Sequence, residues 1–557
     1  MKRLLACCIF LLCASTVAAQ YTRQDTLRGS NGWGRDWWDV LKYNLSVEFD
    51  TARQIITGYN IITFRVTDES RDSMQIDLQD GLALKGVRQH GKDLAFTRDG
   101  NVYWISKPKT GWEKGQTYAI TLNFKGAPRK AANPPWDGGF IWAKDSMGKP
   151  WIAVACQGIG ASSWWPCKDY QGDEPDSGMS LNYSLGINLP GEEANLNCIS
   201  NGRLSNYDTE DPTNGNKYIN YLVRNPINSY NASFYIGDYA HWHDTLRGEK
   251  GVLDLDFYPL KYNEKKARKQ WAVTKDMLRC FEYWLGPYPF YEDGYKLVEA
   301  PYLGMEHQSA VAYGNEYKMG YRGRDLTGTG IGLSFDFIVV HESGHEWFGN
   351  NITAQDIADN WLHEGITCYT EVLFVEWILG KDSAFKYASG QWSGSKALGS
   401  AIGHYGVNDG ISSVMYAKGS AVVHMIRLMV HDDQKFRQLL RKLNSDFYHQ
   451  TVTSRQVEDS ISHFIGMDLK RFFNHYLRNA KLPTVLAKQN GASITLSMPY
   501  QDIDEAFKLP IYDRNGKFIC ELSRKPVTIP TKDLSALQNY LIAYVPKDSG
   551  TIAWPNK

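Results

Sequence analysis

The stretch that decides the fold of this chain is Phe337-Ile338-Val339-Val340-His341-Glu342-Ser343-Gly344-His345-Glu346-Trp347. Residues four apart on an α-helix are separated by about 400° of rotation, so His341 and His345 would project from nearly the same face. Two imidazoles in that arrangement can bind one metal ion, and Glu342 can reach a water on the open side of that metal. The apolar run before His341 predicts that the helix is buried.

A third metal ligand is available 19 residues after His345, in a second helical pattern that contains Glu364. A carboxylate there would complete a three-ligand zinc site and leave the fourth position for water. The alternative, an ordinary solvated helix glutamate, is disfavoured by the apolar neighbours Trp361 and Leu362. Glu371, two turns further along the helix, is either an acceptor for a ligand histidine or a plain salt-bridge partner.

The remaining chain divides into parts by its hydrophobic pattern. From about residue 43 to 243, short β-branched or aromatic runs bounded by turn residues predict an antiparallel β-domain. Helical spacing dominates from about 265 to 477, and strand patterns return after Pro483. We therefore predict a multidomain α+β protein with a signal peptide at 1–19, an N-terminal β-domain at 20–245, a mainly helical catalytic domain at 246–482 and a small C-terminal β-module at 483–557.

Composition excludes several classes of function. The chain has 557 residues, of which 43% are hydrophobic and 22% charged, and this is typical of a folded globular protein. Its 61 basic and 61 acidic side chains cancel. Because no surplus of lysine and arginine exists to neutralise phosphates, we expect no nucleic-acid partner. Six cysteines remain after the predicted signal, too few for a disulfide scaffold, and we expect them to be small buried hydrophobes.

The N-terminus predicts export. Lys2 and Arg3 precede an apolar run to Ala14, and small residues lead to Ala19, the pattern of a secretory signal. No other stretch of about 18 apolar residues occurs, so we expect no integral membrane segment after the signal is removed. Attachment of a lipid at Cys7 or Cys13 is the less favoured alternative. We expect a periplasmic or secreted protein, and the sequence leaves its oligomeric state open.

The chain resembles the zinc aminopeptidases of the aminopeptidase N and leukotriene hydrolase family over about residues 40–480, because several motifs occur in that family's order. These are His341–Asn350 with Trp361–Gly365, Tyr302–His307 (similar to Gly-x-Met-Glu-Asn), Gln157 ahead of Pro166-Cys167, and Tyr416–Gly419 (similar to Tyr-Glu-Lys-Gly). The resemblance implies a thermolysin-like catalytic domain and an enzyme that hydrolyses N-terminal residues from peptides.

The resemblance also implies a role for each matching residue. His341, His345 and Glu364 would hold one Zn²⁺ per chain. Glu342 would act as general base and Tyr416 would stabilise the oxyanion. The substrate would be bound at Gln157, Gly304, Met305 and Glu306. Glu306 and Gln157 would grip the free α-ammonium, and an internal peptide bond offers no charge to pair with that carboxylate. The expected partners are therefore peptides with a free N-terminus.

Two features depart from the family pattern, and other functions stay open. Leu303 and His307 replace the first glycine and the last asparagine of the Gly-x-Met-Glu-Asn motif, which leaves the shape of the first subsite undetermined. About 75 residues after Pro483 cannot build the large helical domain of longer members. The alternatives are a zinc endopeptidase, a catalytically silent peptide-binding protein on the same scaffold, and epoxide hydrolysis as in the leukotriene branch.

Overall fold

The computed structural model describes residues 21–158, 160–185, 196–208, 217–409, 412–498, 505–513, 517–531 and 534–542. The predicted signal peptide, with Cys7 and Cys13, lies outside these residues. Strands dominate as far as Tyr258, helices from Glu264 to Phe473, and strands again from Leu486. The predicted order of a β-domain, a helical catalytic domain and a small β-module is therefore confirmed.

The first described element is helix α1 (Arg23–Gly29), which Thr22 and Asp25 begin with a capping box. This helix contacts both domains. Arg28 Nη1 donates to Asp169 O at 2.7 Å in the β-domain, and Asn408 N of the catalytic domain donates to the backbone O of Asp25 at 2.9 Å. The segment from residue 21 to 30 thus ties the two domains together beside the cleft described below.

The β-domain is built mainly from two sheets. Its strands are β1 (Trp38–Asp50), β2 (Ile55–Val66), β3 (Ser73–Asp77), β4 (Leu82–Gln89), β5 (Lys92–Asp93), β6 (Phe96–Asp99), β7 (Val102–Ser106), β8 (Thr117–Gly126), β9 (Gly139–Lys144), β10 (Pro150–Ala155), β11 (Met179–Leu185), β12 (Asn197–Ser200), β13 (Arg203–Asp208), β14 (Lys217–Val223) and β15 (Phe234–Gly237). One sheet has the order β13-β14-β11-β1-β2-β8-β4-β5, and the second has the order β12-β15-β10-β9. A third, smaller sheet has the order β3-β7-β6.

The large sheet of this domain is mixed, whereas the sequence predicted an antiparallel one. Strands β1 and β11 run parallel, with Tyr43 opposite Met179 and Phe49 opposite Leu185. Parallel strands need a long crossover connection, and more than a hundred residues separate these two in the chain. The other pairs in the sheet are antiparallel, as predicted.

The catalytic domain begins with a five-stranded sheet in the order β16-β17-β18-β20-β19. Its strands are β16 (Trp242–Gly248), β17 (Gly251–Tyr258), β18 (Tyr295–Glu299), β19 (Gly304–Met305) and β20 (Val311–Tyr313). The sequence-based boundary between residues 245 and 246 falls inside β16. Because β16 pairs along its whole length with β17, this strand lies in the catalytic sheet.

Helices form the rest of the catalytic domain. They are α2 (Glu264–Gln270), α3 (Thr274–Leu285), α4 (Phe337–Gly344), α5 (Trp361–Leu379), α6 (Lys381–Gln391), α7 (Val414–Val430), α8 (Asp433–Asp446), α9 (Ser454–Ile465) and α10 (Lys470–Phe473), with a small parallel pair β21 (Ile352–Ala354) and β22 (Gln450–Val452). None of the described helices is both long enough and apolar enough to cross a bilayer.

Two glycines allow the central helices to approach closely. A Cβ at Gly344 of α4 would lie 2.4 Å from Thr370 Oγ1 of α5, and a Cβ at Gly365 of α5 would lie 2.6 Å from Gly419 Cα of α7. Separations this short exclude a larger side chain without movement of a helix. Helix α5 therefore packs backbone against backbone on α7 and places the Thr370 side chain directly against Gly344 of α4. These three helices carry the metal-binding motif and Tyr416.

The C-terminal module consists of two small sheets that pack on the catalytic domain. Its strands are β23 (Leu486–Asn490), β24 (Ser493–Ser497), β25 (Leu509–Tyr512), β26 (Phe518–Leu522) and β27 (Val527–Ile529). Apolar residues such as Leu496 and Leu509 belong to the same continuous core as helices α3 to α10, whereas the β-domain has its own core. The six cysteines of the described chain are all buried and unbridged, in agreement with the prediction.

Candidate metal and substrate site

Helix α4 delivers the two histidines of the motif. Asp336 caps the helix by accepting from the backbone N–H groups of Ile338 and Val339. Its carboxylate also accepts from Tyr313 and Asn315 at 2.7 and 2.8 Å, which fixes the start of the helix to the catalytic sheet. His341 lies in the last turn, and His345 is the residue that ends the helix.

The three predicted zinc ligands converge. His341 Nε2 and His345 Nε2 lie 3.5 and 3.3 Å from Glu364 Oε2. One ligand atom from each of the three lies within 4.8 Å of the others, and all three residues are buried. Glu364 Oε2 has no hydrogen-bond partner within the described chain. A buried carboxylate oxygen left in this way is costly unless a cation completes its coordination.

The other ring nitrogens support the same conclusion. His341 Nδ1 lies 2.7 Å from Glu371 Oε1, and His345 Nδ1 lies 3.0 Å from the carbonyl oxygen of Phe348. Both acceptors require a proton on Nδ1, which leaves the lone pair of each Nε2 directed at Glu364. Three electron-rich atoms that face one another in a dry site fit Zn²⁺, which binds imidazole nitrogen and carboxylate oxygen in this combination.

Glu371 is held in place by further donors. Tyr387 Oη and Gln391 Nε2 donate to Glu371 Oε2 at 2.6 and 2.9 Å. The side chain is 1% exposed. Its other oxygen, Oε1, contacts His341, so Glu371 lies where it can orient that imidazole.

Glu342 lines the same cleft, directly opposite strand β19. A Cβ at Gly304 would lie 2.7 Å from Glu342 Oε1 and 2.8 Å from Ile338 Cγ2. A glycine at 304 therefore leaves the room that the Glu342 carboxylate occupies. Burial raises the pKa of Glu342 to about 7, although the neighbouring His341 opposes the shift. The carboxyl group thus has a proton affinity suited to proton transfer near neutral pH.

Tyr416, on α7, lines the cleft on the side of His341. The two rings are stacked, with centroids 6.3 Å apart. Burial and the nearby Glu364 carboxylate raise the pKa of Tyr416 well above its usual value. The phenol therefore keeps its proton and serves as a hydrogen-bond donor.

The predicted substrate-binding residues lie next to the metal ligands. Gln157 follows β10 of the β-domain, and its Nε2 donates to Glu306 Oε1 at 2.6 Å and to Glu364 Oε1 at 3.0 Å. Glu306 is 2% exposed and directly follows β19 of the catalytic domain. Burial raises the pKa of Glu306, and His345 opposes the shift. Because both amide hydrogens of Gln157 face carboxylates, its carbonyl oxygen is available to an incoming cation.

The two departures from the family motif have different positions. Leu303 lines the cleft together with Gly304 and Met305. His307 is fully buried, and its Nδ1 lies 2.7 Å from the Tyr235 hydroxyl, so this side chain belongs to the interior. Burial also lowers the pKa of His307 to about 3. The histidine is therefore neutral and lies inside the protein, whereas Leu303 and Met305 line the cleft.

The cleft has a volume of about 750 Å³ and includes residues that sequence reasoning missed. Arg129 and the exposed Trp136 reach its wall from the β-domain, and Asn408 and Asp409 from the loop before α7. Tyr230 was also missed, and its hydroxyl donates to Glu306 Oε1 at 3.2 Å. None of these residues has a local sequence signal, because each reaches the site through tertiary packing.

Comparison of the sequence with known proteins finds similarity to one family. Residues 272–476 match the peptidase family M1 domain. The chain is 22% identical to leukotriene A-4 hydrolase from Xenopus laevis over 446 residues, which are 75% of this chain and 67% of that protein. It is 22% identical to aminopeptidase N from Lactobacillus delbrueckii subsp. lactis over 522 residues, 89% of this chain but only 58% of that protein. The match thus includes little more than half of the longer relative.

Solved structures show the same fold. An M1 zinc metallopeptidase from Deinococcus radiodurans superimposes with a TM-score of 0.65 at 19% identity and covers 81% of this chain and 95% of its own. Leukotriene A4 hydrolase from Saccharomyces cerevisiae gives a TM-score of 0.65 at 17% identity, covering 84% of this chain and 71% of its own. The two observations agree: residues 272–476 are similar to a peptidase domain, and His341, His345 and Glu364 are suited to hold one zinc ion.

Proposed function

We propose that this chain, which has a peptidase family M1 domain, is a zinc-dependent aminopeptidase that removes N-terminal residues from peptides. The observation that carries the proposal is the position of the buried Glu306 carboxylate. Its ligand atom lies within 4.8 Å of those of Glu342 and His345, and Gln157 bridges it to Glu364. A cation-binding group is therefore built directly beside the metal ligands.

Selection of the N-terminus follows from electrostatics. An α-ammonium that enters the closed site pairs with Glu306 and can donate to the carbonyl oxygen of Gln157. An internal peptide bond would give the buried carboxylate no cation to pair with, and an uncompensated buried charge costs several kcal/mol. Peptides with a free N-terminus are thus favoured over blocked or internal sites, which is the behaviour of an exopeptidase.

The chemical step would divide among three kinds of group. Zn²⁺ held by His341, His345 and Glu364 would supply a Lewis acid that polarises the scissile carbonyl and acidifies water. Glu342 would take a proton from the attacking water and later pass it to the leaving amine. The Tyr416 hydroxyl would donate a hydrogen bond to the developing oxyanion, and one such donor contributes about 3–4 kcal/mol to transition-state stability.

Glu371 would act through His341. Its Oε1 holds the Nδ1 proton and so directs the Nε2 lone pair toward the metal position. The same arrangement on His345 uses the Phe348 carbonyl and the Thr367 hydroxyl, at 3.0 and 3.2 Å. The protein itself therefore orients both ligand rings, before any metal binds.

Export to the periplasm or the exterior is part of the same proposal and rests on the pattern of residues 1–19. Of the alternatives, a zinc endopeptidase would gain nothing from a buried Glu306. A silent peptide-binding protein would not need Glu342 and Tyr416 beside three metal ligands. No feature of the cleft favours epoxide hydrolysis.

Hydrolysis of aminoacyl chromogenic substrates and of their N-acetylated forms tests the proposal. We expect cleavage of the free-amine substrates, at least about a hundredfold preference over the acetylated ones, and loss of activity after chelation that added zinc restores. The Glu342→Gln variant, prepared in parallel with matched zinc content, controls for contaminating peptidases. Equal cleavage of blocked and free substrates would contradict the assignment and favour an endopeptidase.

A further inference from the structure

A single turn of the β-domain acts on both the side-chain carboxylate and the backbone carbonyl of Glu306. The 3₁₀ turn Ser229–Asn231 precedes β15. Its central residue, Tyr230, is 6% exposed and donates from Oη to Glu306 Oε1 at 3.2 Å. Burial, together with the Glu306 and Glu364 carboxylates, raises the pKa of Tyr230 well above its usual value. The phenol therefore stays protonated and can only act on Glu306 as a donor.

The next residue of the turn, Asn231, is linked to the backbone of Glu306 through the side chain of Asn350. Asn231 Nδ2 donates to Asn350 Oδ1 at 2.7 Å, and Asn350 Nδ2 donates to the carbonyl oxygen of Glu306 at 2.8 Å. Asn231 and Asn350 are 0% and 1% exposed. Because neither amide can exchange its partner for water, breaking this chain of hydrogen bonds leaves unsatisfied groups in the interior.

The turn itself is fixed from both sides. Asn201 Nδ2 donates to the carbonyl oxygen of Asn231 at 2.9 Å. Asn228 caps the turn and donates from Nδ2 to the carbonyl oxygen of Gln171 at 2.7 Å. The turn is therefore held on both sides by hydrogen bonds within the β-domain.

The two side-chain donors to Glu306 select one of its oxygens. Gln157 Nε2 and Tyr230 Oη both donate to Oε1, and among the described residues no side-chain hydrogen bond to Oε2 is present. Two donors on one oxygen restrict the rotation of the carboxylate. A carboxylate fixed in this way binds a cation without first losing rotational freedom.

We propose that Tyr230 and Asn231 are positioning residues that fix Glu306 with Oε2 directed at the substrate's α-ammonium, so that this turn of the β-domain sets the discrimination for free N-termini. The inference rests on the proposed function and deepens it. It places the selection of the amine at the interface between the domains. It also gives a role to Tyr230 and Asn231, which belong to none of the motifs identified in the sequence.

A pair of ligands measures the contribution of the amine without requiring turnover. One ligand is an amino-acid hydroxamate, and the other is the same hydroxamate without its α-amino group. The ratio of their dissociation constants for the zinc-loaded protein, measured by calorimetry, reports how much the ammonium adds. We expect Tyr230→Phe to reduce this ratio about three- to tenfold, because the carboxylate loses one of its two fixing donors. The dissociation constant of the des-amino ligand should stay unchanged.

Tyr221→Phe is the matched control. Tyr221 is 5% exposed in the same domain and donates from its hydroxyl to the carbonyl oxygen of Cys198 at 3.2 Å, so it contacts neither Glu306 nor the turn. Removal of its hydroxyl should leave the ratio at the wild-type value. A second variant, Asn231→Asp, keeps the size of the side chain and removes the donor to Asn350, and it should also reduce the ratio.

The outcomes separate the inference from the proposed function. With free-amine substrates, Tyr230→Phe should raise KM several-fold and change kcat less than twofold. An unchanged ligand ratio in Tyr230→Phe at full zinc content, or an equal loss for both ligands, would overturn the inference. A wild-type protein that distinguishes the two ligands but hydrolyses no peptide would overturn the proposed function and leave the inference intact.

Discussion

The site has two halves that are built in different ways. The metal half consists of His341, His345 and Glu364, which lie on or at the end of the adjacent helices α4 and α5. The other half, which we propose binds the substrate amine and call the amine half, consists of Gln157, Tyr230 and Glu306 and draws on two domains and three distant segments. The metal half depends on the packing of one helix pair, whereas the amine half depends on the interface between domains.

This difference has a functional consequence. Gly344 and Thr370 hold α4 against α5, so the metal ligands keep their spacing as long as the catalytic core is folded. Gln157 and Tyr230 reach Glu306 only when the β-domain is docked. Changes at the interface should therefore weaken amine recognition before they weaken metal binding, and the variants below test that order.

The largest effects are expected within the metal half. His345→Ala should lose both zinc and activity, because two ligands that remain do not hold the ion. Glu342→Gln should keep zinc at about one ion per chain and lower turnover on the order of a thousandfold, since the general base is removed. Metal analysis alongside kinetics distinguishes the two variants. Retention of zinc by His345→Ala would refute the ligand assignment.

Variants in the amine half should change the preference for substrates with a free amine. We expect Glu306→Ala to lower kcat/KM for free-amine substrates about a hundredfold, because the substrate ammonium then enters a buried site without a counter-charge. Zinc content should not change, and the preference over N-acetylated substrates should shrink. Glu316→Ala is the control, since Glu316 is an exposed glutamate of the same domain that pairs with Lys318. Unchanged selectivity in Glu306→Ala would argue against its role.

A smaller effect is expected at Glu371, which contacts the ligand His341 and not the metal position itself. Glu371→Gln should weaken zinc affinity about 10- to 100-fold, because the neutral amide no longer holds the proton on His341 Nδ1 as firmly. Competition with a chelator of known affinity measures the change. Asp382→Asn, on the exposed side of α6, is a control of the same charge change. Equal zinc affinity in the two variants would indicate that Glu371 serves only packing.

The smallest effect is expected at the junction of the domains. Arg28 of α1 pairs with Asp169 at 3.3 Å and closes one side of the small chamber behind Gln157. We expect Arg28→Met to lower the free energy of unfolding by about 1–3 kcal/mol, since the buried Asp169 keeps its Ser162 donors but loses the paired cation, and to raise KM two- to threefold.

The matched control for that variant is Arg23→Met on the same helix, because Arg23 pairs with Asp99 at an exposed position and should contribute less than about 1 kcal/mol. Thermal denaturation and KM measurements on both variants make the comparison. A KM that rises equally in the two would show that α1 acts only through general stability.

Much of the helical domain could be predicted from the sequence, and the β-domain was harder. Helical spacing predicted helices from about residue 265 to 477, and helices α2 to α10 lie between Glu264 and Phe473. Hydrophobic spacing and caps such as the Thr453 capping box of α9 act over a few residues, so they can be identified from the sequence alone. The parallel pairing of β1 with β11 could not be predicted, because strand pairing depends on contacts between residues far apart in the chain.

The sequence by itself determined the chemistry of the metal half. A spacing of four residues on one helix and a glutamate on the next place three ligands on facing surfaces, whatever surrounds them. Only the tertiary structure decided which groups act on Glu306, that His307 points into the interior, and that Arg129 and Trp136 line the cleft. These positions depend on the docking of one domain on another, and no local pattern of residues specifies that geometry.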